Sequence, residues 1–369
     1  MHPVFKRTSS FCEPTRAIGH VCALDELTVL SFNGADTKSF LQGQLTNDIS
    51  KLPESHALLA GYCTAQGRLL ATMVLCHDAS NTTAAKPGSE LLGLLRTDLA
   101  TAVTKRLSMF VLRAKVKISL SAWICAGVTL STPDAASLTQ LNDLAGGMLP
   151  TKPYDVLHAV TGIWIAAPKA EASPLRWWWL AENREPSALQ SATPSKVHNE
   201  GQLDAPKTDL VETLKRALAQ GSPNRWAQDD LEAGLPWLEA KTQDLFIPQT
   251  LNLDLIEGVS FTKGCYPGQE IVARSHYRGI LKRRMAFGRI PAQGEIIISA
   301  GDDIIMMHEN QEACGRVINA VSNGPFICFL FEAPFAAIDD GAIAVASAPT
   351  VQIEQLKLPY TVTRPGNTN

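Results

Sequence analysis

The octapeptide Lys263-Gly264-Cys265-Tyr266-Pro267-Gly268-Gln269-Glu270 sets one cysteine beside a lysine, at a predicted strand-to-helix turn. Ile256, Val259 and Phe261 lead in as an apolar, β-prone run. Pro267 suits the first position of a helix, and residues 269–274 read as its opening turns. A helix N-terminus and the nearby Lys263 ammonium would both favour the thiolate of Cys265. In an extended segment Lys263 and Cys265 also project to the same face. Gly264 and Gly268 permit a tight turn or a close approach to a ligand. The plainer alternative is a small buried cysteine in a glycine-rich turn. The density of specialised residues in so short a stretch favours a functional thiol.

The 369 residues are enough for two or three domains. A hydrophobic fraction of 45% and a charged fraction of 19% are ordinary for a globular chain. No apolar run approaches the roughly 20 residues that span a bilayer, so no membrane segment is expected. The first 20 residues are basic without an apolar core, which argues against a secretory signal and fits a ragged cytoplasmic N-terminus. Eight cysteines are scattered with no C-x-x-C pair, the pattern of buried free thiols in a reducing compartment. Closely spaced metal ligands are missing too, so no resident metal is expected. Net charge is −3, and Arg274, Arg278, Lys282, Arg283 and Arg284 form a positive cluster just after the octapeptide. It reads either as a solvated helix end or as a site for a small anion; direct RNA binding would need a broader basic surface.

Along the chain, residues 1–21 form an N-terminal lead. Residues 22–121 alternate strand and helix patterns in the order β-α-β-β-α-β, with strands at 27–32, 57–63, 69–76 and 110–120 and helices at 35–44 and 98–108. That order suggests a ferredoxin-like α+β unit. Residues 122–284 read as a second α+β domain, with a polar insertion at 183–209, a short helix at 210–218 and the octapeptide at 263–270. Its Trp177-Trp178-Trp179 run cannot face one core from a strand, so the strand is expected to be covered on both faces. Residues 285–360 are all β in pattern, including strands at 295–298 and 304–307, and suggest a small C-terminal barrel.

Several further blocks accompany the octapeptide in order. They are Phe32-Asn33-Gly34-Ala35-Asp36, Phe40-Leu41-Gln42-Gly43-Gln44-Leu45-Thr46-Asn47-Asp48, Gln66-Gly67-Arg68, Leu231-Glu232-Ala233-Gly234-Leu235-Pro236, Phe246-Ile247-Pro248-Gln249 and Asn252-Leu253-Asp254. Together they resemble the YgfZ family, folate-binding relatives of the glycine-cleavage T-protein, from about residue 30 to residue 287. The resemblance implies a T-protein-like arrangement of ferredoxin-like units and a C-terminal barrel. It also implies tetrahydrofolate or a one-carbon derivative as cofactor. As partners it implies iron–sulfur enzymes or their assembly factors, among them enzymes that thiolate tRNA, with tRNA met only indirectly.

A pterin carries a donor-rich edge that a carboxylate accepts from bidentately, and the resemblance gives that task to Glu232. On its own pattern Glu232 reads equally as a glutamate on a helix surface. Trp226, six residues earlier, is either a stacking platform or a core residue. Tyr266, Gln269 and Arg274 complete the candidate cofactor-binding set, although Glu270 and Arg274 at i,i+4 also make an ordinary helix pair. Cys265 and Lys263 are the candidate reactive residues. A low-pKa thiol there could carry sulfur, form a mixed disulfide or ligate iron transiently. The alternative is a tetrahydrofolate-dependent aminomethyl transferase, whose turnover would survive Cys265→Ser. A third reading, a direct RNA-binding module, predicts tRNA affinity that falls steeply with salt.

Overall fold

The computed structural model describes residues 17–78, 90–132, 134–182, 214–277, 281–308 and 310–362, folded as an α+β protein around three sheets. The expected insertion at 183–209 lies outside the described residues, and the expected helix at 210–218 is described only from residue 214.

The first sheet runs in the order β3 (Leu58–Cys63), β4 (Leu69–His77), β5 (Glu90–Arg96), β2 (Leu27–Asn33), β6 (Lys117–Leu120), all antiparallel. Every residue of β4 is buried, which explains its nearly unbroken apolar sequence. The helix Thr97–Met109 turns Leu99, Ala100, Val103 and Leu107 inward at helical spacing. The unit therefore holds one strand more than the expected β-α-β-β-α-β order. Leucines and the central Gly93 give Glu90–Arg96 little local strand preference; pairing with both β2 and β4 decides it. The strand expected at 110–120 shrinks to β6, because residues 110–116 fold into turns with Leu112 in the left-handed region (φ 41°).

The second sheet has the order β11 (Ala219–Gln220), β1 (Gly19–Ala23), β7 (Trp123–Leu130), β10 (Arg176–Glu182), β9 (Gly162–Ala166), β8 (Val156–Ala159). Cys22 and Ala23, read from sequence as the start of the first unit, pair instead with Gly127 and Ala126 of β7. Strand β10 resolves the tryptophan run: all three rings are fully buried. Trp177 and Trp179 enter the core on one face, and Trp178 enters the larger core shared with the first sheet. Trp179 stacks on Trp164 at 5.1 Å.

The third sheet, β16 (Ile343–Val345), β13 (Asp303–Met306), β14 (Ala313–Asn323), β15 (Phe326–Pro334), β12 (Arg283–Pro291), β17 (Glu354–Leu356), is antiparallel and curled. Its two edges meet where Ala344 bridges Gln352 and Ile353 N–H donates to the Ile343 carbonyl at 2.9 Å, giving the small barrel. Two local expectations fail here. Residues 295–298 are not a strand, and Phe335–Asp340 form a helix inside the all-β stretch. A lone alternating tetrapeptide such as 295–298 makes a strand only if a neighbour pairs with it.

His77, at the end of β4, is buried with Nε2 3.1 Å from the Leu52 carbonyl, and burial holds its pKa below the ordinary imidazole value. The unfolded chain therefore takes up a proton near pH 6.5 that the folded chain refuses, so stability falls as pH drops through about 6.5. Burial raises Glu26, Asp229 and Asp230, which act in the opposite sense, so comparison with His77→Gln isolates the imidazole. The urea midpoint is expected to fall between about pH 7.5 and about pH 5.5, with a flatter profile in His77→Gln. A wild-type midpoint that is flat or rises over that window would contradict the assignment.

Candidate functional site

The octapeptide docks against the N-terminal opening of the chain. Lys263 is 7% exposed, and its ammonium donates to the Gln42 carbonyl at 2.6 Å and the Leu45 carbonyl at 2.5 Å, from 218 positions away in the second case. It also lies 5.1 Å from the centre of the Tyr266 ring. Burial pulls the Lys263 pKa down to about 8, with Asp48 opposing, so the group stays protonated at neutral pH. Further bonds fasten the same two stretches: Thr46 Oγ1 donates to the Gly258 carbonyl at 2.7 Å, and Asn47 Nδ2 to the Glu257 carbonyl at 2.6 Å.

On its other side the octapeptide touches the turn between β3 and β4. Gly67 and Gly268 both take left-handed conformations (φ 73° and 81°), and a Cβ on Gly268 would fall 2.4 Å from the Gly67 Cα. The helix Gln269–Tyr277 starts immediately afterwards, with the Gly268 carbonyl accepting from the Ile271 and Val272 N–H groups.

This geometry corrects two expectations. Pro267 precedes the helix rather than opening it, because Gly268 supplies the turn, so the helix starts four residues beyond Cys265. Nor do Lys263 and Cys265 share a face: Lys263 is buried and committed to two carbonyls, while Cys265 is exposed. The segment is a series of bends, and the i,i+2 rule for an extended strand does not apply. Lys263 is thus a brace between motifs.

Among the described residues seven cysteines are free, and Cys265 is the exposed one. Burial pushes the Cys22 and Cys63 thiols up to about 12. Tyr266 is buried, with its phenol pushed up by burial, and its carbonyl accepts from the Gln269 N–H at 3.2 Å. Gln269 is half-buried at the helix start. Arg274 pairs with Glu270 at 2.9 Å on the surface, the ordinary i,i+4 arrangement. Sequence reasoning missed Gln249, whose Nε2 donates to the Val272 carbonyl and ties the Phe246–Gln249 block to the helix.

Glu232 ends the helix Pro223–Glu232, which Ser222 caps by accepting from the Arg225 N–H. Its carboxylate accepts from Gln228 Nε2 at 2.8 Å and lies 3.4 Å from Arg225 Nη2 and 3.5 Å from Ser173 Oγ. With a side chain 24% exposed, it stays accessible. Trp226 is buried beneath the Arg176 guanidinium, 4.7 Å from the ring centre, and against the Gly127 backbone. That is a packing role.

Asp230, two residues before Glu232, belongs to a cluster that the sequence did not announce. The Arg176 guanidinium meets Asp230 Oδ1 at 2.6 Å, and Asp230 Oδ2 accepts from Trp237 Nε1 at 2.9 Å. The Trp237 ring stands 6.1 Å from Trp178, which stands 6.3 Å from Tyr154. Trp178 Nε1 and Tyr154 Oη are both buried without a hydrogen-bond partner among the described residues. Unspent polar atoms among aromatic rings are uncommon in a finished core.

No protein-family model matches the chain. It is 27% identical to a protein named tRNA-modifying protein YgfZ from Serratia proteamaculans over 303 residues, 81% of this chain and 79% of that protein. It is also 27% identical to a protein of the same name from Pectobacterium atrosepticum over 314 residues, 83% of this chain and 80% of that one. Among solved structures it superimposes on the glycine cleavage system aminomethyltransferase T of Bartonella henselae with a TM-score of 0.62 at 14% identity, covering 95% of this chain and 88% of the other. The T-protein-like α+β fold expected from sequence is therefore the fold observed.

Proposed function

We propose that this chain, a relative of the YgfZ proteins over 81% of its length, is a folate-binding accessory protein that supports iron–sulfur enzymes, including those that thiolate tRNA. Cys265 is its reactive group. The observation that carries this reading is the placement of the octapeptide: buried Lys263 and tightly docked Gly268 hold a rigid base that displays Cys265, the one described cysteine that is exposed rather than buried or half-buried. A thiol displayed in that way is open to the sulfur or iron of a partner enzyme. A chain of free thiols suits the cytoplasm.

Tetrahydrofolate fits the residues present. Its pterin is planar, with donors on one edge that a carboxylate can accept from bidentately. Glu232, whose carboxylate stays accessible, would accept from that edge. When bound, the folate supplies a one-carbon carrier with a redox-active ring.

Calorimetric titration with tetrahydrofolate tests the reading. Glu232→Ala is expected to weaken binding about ten- to a hundredfold, the loss of a charge-assisted hydrogen bond. Cys265→Ser should leave affinity unchanged. In cells, Cys265→Ser is expected to lower the activity of a tRNA-thiolating enzyme. No heat with the wild type would end the folate part of the proposal; unaltered thiolation in Cys265→Ser would end the thiol part.

A further inference from the structure

We infer that the surface formed by the end of the helix Thr97–Met109, the turns at 110–116 and the edge strand β6 docks a partner protein that presents acidic side chains around an apolar centre. The inference goes beyond the folate reading and stands whether or not folate binds.

Three exposed large apolar side chains lie together here: Met109 at 66%, Phe110 at 45% and Leu112 at 89%. Leu120, at the end of the same edge strand, is 58% exposed. Leu112 also holds a left-handed backbone (φ 41°), which a β-carbon makes unfavourable. Neither its exposure nor its conformation serves the core. Around these residues stand Lys105, Arg106, Arg113, Lys115 and Lys117, all exposed, and the sequence holds no acidic residue between Asp98 and Asp134. Arg106 reaches the Tyr62 phenol. The other four cations have no ion pair or side-chain hydrogen bond among the described residues. The nearby Asp36 carboxylate is occupied by the Lys115 backbone N–H at 2.7 Å.

In a chain of net charge −3, five cations with the single carboxylate of Asp36 nearby leave a local positive excess, and an apolar centre inside it is the anatomy of a protein interface. Lysines on a free sheet edge can serve simply to discourage strand pairing, but that role does not call for Met109, Phe110 and Leu112 in water. A second copy of this chain is disfavoured, since a two-fold contact through this patch would set its cations against their equivalents. RNA phosphates would satisfy the charges yet leave the aliphatic side chains without a partner.

The test uses the full chain and fluorescence anisotropy, with three probes: a labelled peptide alternating glutamate and leucine, a polyglutamate of equal charge, and tRNA. The glutamate–leucine peptide should bind at least tenfold tighter than polyglutamate. Leu112→Gly should reduce that binding about tenfold while leaving the melting temperature equal to or above that of the wild type, because glycine relaxes the left-handed turn. Lys115→Glu with Lys117→Glu should reduce it further. Equal binding of the two peptides, or insensitivity to these variants, overturns the proposal. Tight tRNA binding that falls with the charge variants and ignores Leu112→Gly would also overturn it and assign the surface to RNA.

Discussion

Arg176→Ala is expected to lower the free energy of unfolding by about 3–5 kcal/mol, the range for breaking a buried ion pair from one side. The Arg176 side chain is fully buried, and its fork is filled. Nε and Nη2 donate to the Pro168 carbonyl at 2.8 and 2.6 Å, and Nη1 to the Trp226 carbonyl at 3.3 Å. Nη2 also meets Asp230 Oδ1 at 2.6 Å. Truncation strands the Asp230 carboxylate in the core with Trp237 Nε1 as its remaining donor. Burial already pushes the Asp230 pKa up against the pull of Arg176, so the stranded group will take up a proton, which limits the penalty. Arg176→Met combined with Asp230→Leu should recover much of the loss, since two apolar groups need no counter-charge.

The contrasting pair is Arg289–Glu354 at 2.7 Å, with side chains 32% and 54% exposed. Arg289→Ala there should cost far less than Arg176→Ala, because solvent screens the pair. Urea unfolding of both variants decides the matter: similar losses would mean that burial of Arg176 does not set its energetic weight.

These two arginines also show what the sequence could tell and what it could not. Three tryptophans in a row dictate a strand covered on both faces, because alternation is local, and Trp177 to Trp179 obey it. The helix at Thr97–Met109 was legible from apolar spacing, whereas that at Pro223–Glu232 was not, its acidic end at Asp229–Glu232 reading instead as a helix start. The motif blocks were legible as well, but their mutual contacts were not. Nothing local links Lys263 to the Gln42 and Leu45 carbonyls, or Arg176 to Asp230. A buried cation is identified by partners far away in the chain. Lys263 was therefore read as an electrostatic neighbour of Cys265, when it is a brace turned the other way. The strand Glu90–Arg96 escaped for the same reason, being made by its neighbours on both sides rather than by its own leucines.

Gly268→Ala is expected to cost on the order of 3 kcal/mol or more, whereas Gly264→Ala, four residues earlier in the same octapeptide, should stay within about 0.5 kcal/mol. On sequence the two glycines look interchangeable. In the fold, Gly268 sits at φ 81°, where a β-carbon costs about 1–2 kcal/mol by itself. That carbon would also lie 2.4 Å from both the Gly67 Cα and the Thr64 carbonyl oxygen, backbone atoms that cannot rotate aside. Relief would require the β3–β4 turn and the start of the helix Gln269–Tyr277 to separate, so the cost of overpacking, about 1–3 kcal/mol, adds to the conformational one. A Cβ on Gly264 meets nothing within 4 Å. The pair thus separates scaffold from display within one motif. Thermal melts of the two variants test the first half, and equal melting temperatures would show that the octapeptide is not docked through Gly268. The second half follows from the open space beside Cys265. If a partner enzyme approaches the thiol there, Gly264→Ala should keep the wild-type melting temperature and still impair tRNA thiolation. Full thiolation by that variant would mean that the approach to Cys265 does not pass over Gly264.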